Sequence, residues 1–203
     1  MKLFYKPGAC SMASHIVLHE LGVPFEVEAV DTATGTTASG ADYGKINAKG
    51  YVPALQMKDG SVLTEGPAIL QYLADAHPEA TLLPSAGSLD RARVIEVLTY
   101  VSSELHKAFG PLFNPATSKS EQDAARASVA TKFDHVETLL QDGRGTITSG
   151  GFTIADAYLF VVSNWANGTG IDLTKWPNLS AYVARIAQRP ATQMAMRAEG
   201  LTT

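Results

Sequence analysis

The sequence is short of the features that mark several large protein classes. It holds one cysteine, Cys10, in 203 residues. An internal disulfide is therefore impossible, and a lone thiol suits a reducing compartment. Any redox chemistry must use one protein sulfur, the second being supplied from outside. No apolar run is long enough to span a bilayer. The opening MKLFYKPGACS has only a short apolar stretch, so no secretory leader is expected and the cytoplasm is the expected location. Basic residues are not in excess: 16 Lys and Arg against 20 Asp and Glu leave a formal net charge of −4, which argues against a general nucleic-acid binder. Internal repeats and low-complexity tracts are absent.

What remains is a chain with 45% hydrophobic residues, enough to bury a real core. Its first third alternates strands and helices. Leu3-Phe4-Tyr5 reads as a strand stopped by Pro7 and Gly8. Residues 11–21 carry a helical pattern, with Gly22 at the left-handed C-cap position and Pro24 beyond it. Phe25, Val27 and Ala29 alternate with Glu26 and Glu28, predicting a strand with the first set inward. Residues 31–51 read as an irregular excursion with at most a short helix near Asp42–Ile46. Asp59-Gly60 between two apolar runs is a hairpin signal, and Pro67 suits the first turn of a following helix. The order is β-α-β, then β-β-α. Residues 81–88, rich in Pro, Ser and Gly, read as a linker. From 89 the pattern is wholly helical: 89–109, 121–142, an apolar helix at 154–166, and 177–189, ending before Pro190. The expected architecture is α/β over 1–80 and all-α over 89–203.

Cys10 stands where a strand and turn hand over to a helix. Unpaired amides and the positive end of the helix dipole face that position. A thiol placed so can fall from about 8.5 to between roughly 3.5 and 7.5, and the same site would stabilise the thiolate of a bound thiol. The plain alternative is a small buried apolar cysteine. Val52-Pro53 enters a strand; were its bond cis, the Val52 amide and carbonyl would be free to pair with a peptide-like ligand. The ordinary alternative is a trans proline at a strand entrance. Glu65 and the Gly66 amide open a helix, and together suit an amino-acid head of carboxylate plus amine, or simply a helix-start acid. Thr153 to Asp156 has capping-box spacing, read as structural. His15 and His19 stand four apart, as paired metal ligands would, but no second cysteine and no HExxH accompany them, and no metal is expected. His106-Lys107 are two potential cations on one helix, with a plain surface histidine as the alternative.

These signals fall into one pattern. MKLFYKPGACSMASHI at 1–16, KGYVPAL at 49–55, LTEGPAILQYLAD at 63–75, SELHKAF at 103–109 and FTIADAYLF at 152–160 make the chain closely similar to bacterial Beta-class glutathione transferases along its whole length. The resemblance implies a thioredoxin-like N-terminal domain at 1–80, a linker at 81–88, and a helical domain at 89–203 that contributes the co-substrate site and the contacts of a homodimer. It implies glutathione as co-substrate, with no other cofactor. It implies that Pro53 is cis, that Val52 pairs through its backbone with the cysteinyl part of glutathione, and that Glu65 and Gly66 hold the γ-glutamyl head. Cys10 would lie next to the glutathione sulfur, where a mixed disulfide can form, with His106 and Lys107 reaching that sulfur; Ser11 and His106 are hydrogen-bond candidates to it. Ser103 and Glu104 would approach the glutamyl amine, and Tyr51 and Thr99 complete the set. Two positions depart from the pattern: Gly35 stands where many relatives have a lysine for the glycyl carboxylate, leaving Lys45 or Lys49 to substitute or affinity for glutathione to be lower, and Gly66 replaces a common serine.

The resemblance implies conjugation of glutathione to electrophilic, mostly apolar small molecules, with Cys10-dependent thiol–disulfide exchange beside it. Glutathione-dependent dehalogenation or peroxide reduction, and a binding protein of the same fold without catalysis, are the alternatives.

Overall fold

A computed structural model describes residues 1–202. The chain divides into two compact units: Met1–Leu83 with the residues from Gln188 on, and Pro84–Ala187. Among the described residues no helix is long and apolar enough to cross a membrane.

The first unit is built on a five-stranded sheet of order β3-β2-β1-β4-β5. Its strands are β1 (Lys2–Tyr5), β2 (Glu26–Asp31), β3 (Thr36–Thr37), β4 (Ala54–Gln56) and β5 (Val62–Thr64). β1 runs parallel to β2 and antiparallel to β4. The parallel pair needs a crossover, which α1 (Met12–Leu21) supplies. Gly22 ends that helix at φ 63°, as its position predicts. β4 and β5 form the hairpin signalled by Asp59-Gly60, Gly60 taking φ 87° while the Asp59 carboxylate accepts the Ser61 N–H at 2.9 Å. α2 (Gly66–Ala76) follows at once and buries Ile69, Leu70 and Leu73. β3 is too short to show in the sequence.

Two expectations fail here. In β2 the buried residue is Val30, whereas Val27 is 39% exposed. The half-buried acid is Glu28, which accepts from Lys2 Nζ at 3.0 Å and from the Ser39 hydroxyl at 2.5 Å. Those donors, Ser39 first, hold its carboxyl down at about 2. An acid so well partnered can take a position that alternation alone gives to an apolar residue. The second failure concerns the chain's end. Pro190 does not simply follow the last helix but begins a further one, α9 (Pro190–Ala198), with proline in its first turn. α9 packs on α1, and Arg189 clamps Glu20 through Nε at 2.8 Å and Nη2 at 3.0 Å. The expected helical domain 89–203 therefore stops at Ala187, and the rest of the chain belongs with the sheet.

The second unit is helical: α3 (Leu89–Tyr100), α4 (His106–Phe113), α5 (Lys119–Leu139), α6 (Ile154–Asn164), α7 (Ala166–Thr169) and α8 (Pro177–Ala187). The expected helix at 89–109 is interrupted by a π-helical turn at Val101–Leu105, where the His106 N–H reaches back to the Val101 carbonyl. The residues it buries before that turn are Val94 and Leu98. α6 is buried over Ile154–Ser163 and forms the unit's centre. It begins on the anticipated capping box: the Thr153 N–H and hydroxyl both donate to Asp156 Oδ2, at 2.8 and 2.9 Å.

Candidate active site

In the first unit the turn after β1 delivers Cys10. The Ala9 N–H closes on the Lys6 carbonyl at 3.0 Å, with Gly8 at φ 71°, a conformation that favours glycine. The Ala13 N–H bonds the Cys10 carbonyl at 3.1 Å, and Cys10 stands immediately before Ser11, the N-cap of α1. Its side chain is half-buried, and Sγ lies 3.4 Å from the Val52 carbonyl oxygen. Ser11 does not share that exposure. It is fully buried, and its hydroxyl accepts the Lys6 N–H at 3.2 Å and faces the Lys6 carbonyl at 3.3 Å. The Ser11 side chain therefore fastens the turn rather than offering itself to a second sulfur.

Opposite Cys10 stands the segment leading into β4. The Val52–Pro53 bond is cis. Register places Ala54 across from Thr64, so Pro53 faces the Glu65–Gly66 end of the hairpin. A Cβ added at Gly66 would meet Pro53 Cγ at 3.9 Å, which sets the N-terminus of α2 against that proline. The segment is held from beneath: the Tyr51 carbonyl accepts the Tyr43 hydroxyl at 2.8 Å and Asn47 Nδ2 at 2.7 Å, while the Tyr51 ring is 73% exposed. Glu65 is exposed, at φ 72°, a strained backbone for a side-chain-bearing residue costing about 1–3 kcal/mol. Lys49 Nζ lies 2.6 Å from its Oε1 and 3.1 Å from Thr64 Oγ1. Of the two lysines considered as substitutes for a cation at Gly35, Lys49 is thus the one at this end of the unit's helix α2. Cys10, Val52, Pro53, Glu65 and Gly66 form one connected patch, with Tyr51 beside it.

The remaining predicted residues lie in the second unit. Thr99, Ser103 and Glu104 line a groove of about 770 Å³ together with Ala92, Ile95 and Tyr100. The hydroxyls of Ser102 and Ser103 both donate to the Thr99 carbonyl at 2.9 Å, and Glu104 pairs with Lys132 at 2.6 Å. Lys107 is exposed. His106 was read as a potential cation, and the structure corrects that. Its ring is boxed edge-on against Trp165 at 4.8 Å and faces the Tyr158 hydroxyl, 2.7 Å from Nδ1. Burial, with Lys107 adding to it, pushes the imidazole down to about 4. It is neutral near pH 7. With the phenol assigned as donor to Nδ1, the imidazole proton sits on Nε2, making His106 a neutral hydrogen-bond donor. Sequence reasoning missed Tyr158 and Trp165, although Tyr158 lies inside the TIADAY stretch.

His15 and His19 stack on each other at 5.0 Å, with Phe25 edge-on to both rings. His15 Nδ1 faces Glu199 Oε1 at 2.9 Å. The pair is thus core furniture of the α1–α9 contact.

Comparison with known proteins gives a consistent family. Residues 8–76 match the model described as glutathione S-transferase, N-terminal domain, and residues 100–190 the model described as glutathione S-transferase, C-terminal domain. The chain is 47% identical to glutathione S-transferase GstA of Escherichia coli O157:H7 over 201 residues, covering 99% of this chain and 100% of that protein. Among solved structures, a bacterial beta class glutathione S-transferase of Sphingomonas chungbukensis superposes with a TM-score of 0.96 at 46% identity, covering 100% of both chains. A sphingomonad glutathione S-transferase complexed with glutathione gives 0.95 at 47% identity, again covering 100% of both.

Proposed function

Given that this chain belongs to the glutathione S-transferase family and uses glutathione as its co-substrate, we propose that Cys10 lies against the bound glutathione sulfur and that the enzyme works through both sulfurs. The observation that carries this is the 3.4 Å approach of Cys10 Sγ to the Val52 carbonyl, the backbone proposed to pair with the cysteinyl part of the tripeptide. Glu65 and the α2 N-terminus at Gly66 take the γ-glutamyl amine and carboxylate, a carboxylate being well suited to unpaired helix amides. Tyr51 flanks the same segment. Lys49, paired with Glu65 Oε1, adds a cation at the γ-glutamyl end. Thr99, Ser103 and Glu104 are further proposed glutathione contacts in a cytoplasmic homodimer, and His106 and Lys107 further contributors to catalysis.

Two reactions follow. In conjugation, glutathione gives up its thiol proton to water. The thiolate then forms a sulfur–carbon bond with an electrophilic, mostly apolar small molecule, whose leaving group departs with the bonding pair. The helix-1 terminus lowers the cost of the anion. In exchange, the Cys10 thiolate attacks a glutathionyl disulfide, forms a Cys10–glutathione disulfide and expels the other thiolate. A second glutathione thiolate then attacks that mixed disulfide, releasing glutathione disulfide and restoring Cys10.

Mass spectrometry of the intact protein after exposure to glutathione disulfide tests this. One glutathionyl adduct, removed by dithiothreitol and lost in Cys10→Ala, is expected. Cys10→Ala should keep most conjugation of an aryl halide while losing disulfide reduction. Absence of any bound tripeptide at millimolar supply would overturn the reading.

A further inference from the structure

A buried carboxylate from the far end of the chain closes on the turn that carries Cys10. The Glu199 side chain, 0% exposed, follows α9. Its Oε2 accepts the Gly8 N–H at 2.9 Å, and its Oε1 lies 2.9 Å from Nδ1 of His15, which is 1% exposed. Gly8 belongs to the turn before Cys10; His15 belongs to the body of α1. One carboxylate therefore ties the turn to the helix that Cys10 leads into. Leu201 covers the same glycine, since a Cβ there would meet its Cδ2 at 3.6 Å.

Stability alone gives little reason for this arrangement. Burying a carboxylate costs several kcal/mol unless it is fully partnered, and apolar packing would serve the α1–α9 contact at least as well. Its charge has the wrong sign to help an anionic sulfur nearby. The groups facing the pair are Tyr5, His19 and Phe25, ring neighbours of His15. What the carboxylate does supply is direction: two bonds, diverging from one rigid group, set the angle between turn and helix.

We propose that Glu199, held by His15, is a positioning residue for Cys10, fixing the Gly8 turn so that Sγ meets the Val52 segment. Neither residue touches the sulfur. The inference rests on the reading of Cys10 given above, but its test does not need glutathione.

Cys10 is the chain's single cysteine, so alkylation by iodoacetamide reports on it alone. The rate is measured against pH in the full-length protein, in Glu199→Ala and in Glu199→Gln. Gln removes the charge but keeps a carbonyl for the Gly8 N–H and an amide for His15 Nδ1. Positioning predicts that Glu199→Ala alkylates about tenfold more slowly at neutral pH, with its profile moved to higher pH, while Glu199→Gln stays within about twofold of wild type. A charge effect predicts the opposite: both variants would react faster, which overturns the proposal. So does a folded Glu199→Ala with the wild-type profile, or a folded Glu199→Gln as slow as the alanine variant. Should Glu199→Ala not fold, hydrogen exchange of the Gly8 amide in the unmodified protein decides. Protection like that of the α1 core amides supports the clamp, and exchange at loop rates sinks it. Wild-type protein that binds no glutathione, combined with a slow Glu199→Ala, would fell the proposed function and leave this inference standing.

Discussion

Replacing Asp156 should test how the helical unit is held. The side chain is 0% exposed and accepts four hydrogen bonds: the Ile147 N–H at 2.7 Å and the Tyr182 hydroxyl at 3.0 Å on Oδ1, and the Thr153 N–H and hydroxyl on Oδ2. In Asp156→Ala the two backbone N–H groups are stranded in residues only 3% exposed, at about 1–3 kcal/mol each. The Tyr182 hydroxyl keeps the Asp156 carbonyl at 3.2 Å, so it adds little. Burial also pushes the Asp156 carboxyl upward against the pull of its donors, so removing the charge returns some desolvation cost. The net expectation is a loss of about 3 kcal/mol. In Asp156→Asn the remaining oxygen can stay on the Ile147 side, leaving the amide against the Thr153 N–H. One stranded donor in place of two predicts about half the loss. Both tryptophans, Trp165 and Trp176, lie in this unit, so fluorescence in urea reads it directly. With an m-value of about 3 kcal/mol per molar, the midpoint should fall by about 1 M for alanine and about 0.5 M for asparagine. An alanine variant with an unmoved midpoint, or an asparagine variant worse than alanine, would refute the bond-by-bond reasoning.

Acid should act through Glu28, whose side chain is 11% exposed and whose carboxyl is lowered from 4.5 to about 2. A lowered carboxyl gives stability that is present above the unfolded value and lost as pH falls toward the folded one, here on the order of 3 kcal/mol. Urea midpoints from pH 5 downward should fall steeply in wild type and more gently in Glu28→Gln. His106 has the opposite protonated form but the same sense: an imidazole lowered to about 4 leaves the unfolded chain binding the extra proton between its ordinary value and that one, so stability falls there on acidification. For the same reason the acid side of the pH profile of conjugation should be unchanged near neutral pH in His106→Gln; a shift there would mean the imidazole titrates in the working enzyme. Lys49→Met removes an ion pair whose side chains are 49% and 64% exposed, so thermal stability should stay within about 0.5 kcal/mol. If Lys49 helps Glu65 hold the γ-glutamyl head, the KM for glutathione should rise about five- to tenfold with kcat nearly unchanged.

What could be read from the sequence was whatever a short window decides. Gly22 at its C-cap, the Asp59-Gly60 turn, Pro67 in a first turn and the Thr153–Asp156 box are each specified by neighbours along the chain, and each is where the pattern put it. The inward face of β2 was misread because Glu28 is rescued by Lys2, 26 positions away, and by Ser39, 11 away, and alternation cannot see such partners. His106 looked like a cation because the burial that lowers its imidazole comes with packing against residues far along the chain, Tyr158 and Trp165 among them. Pro190 was read as a stop because a proline ends one helix and begins another with the same ring; only the packing of α9 on α1 distinguishes the two. Glu199 lies beyond even that reach, 191 positions from the glycine it binds. The residues that make the chemistry plausible are therefore local in sequence, whereas those that set its geometry and charge come from far along the chain. A substitution scan guided by motifs alone would leave Glu199 untouched. It is the position where the physical argument predicts a change in reactivity without loss of any motif residue.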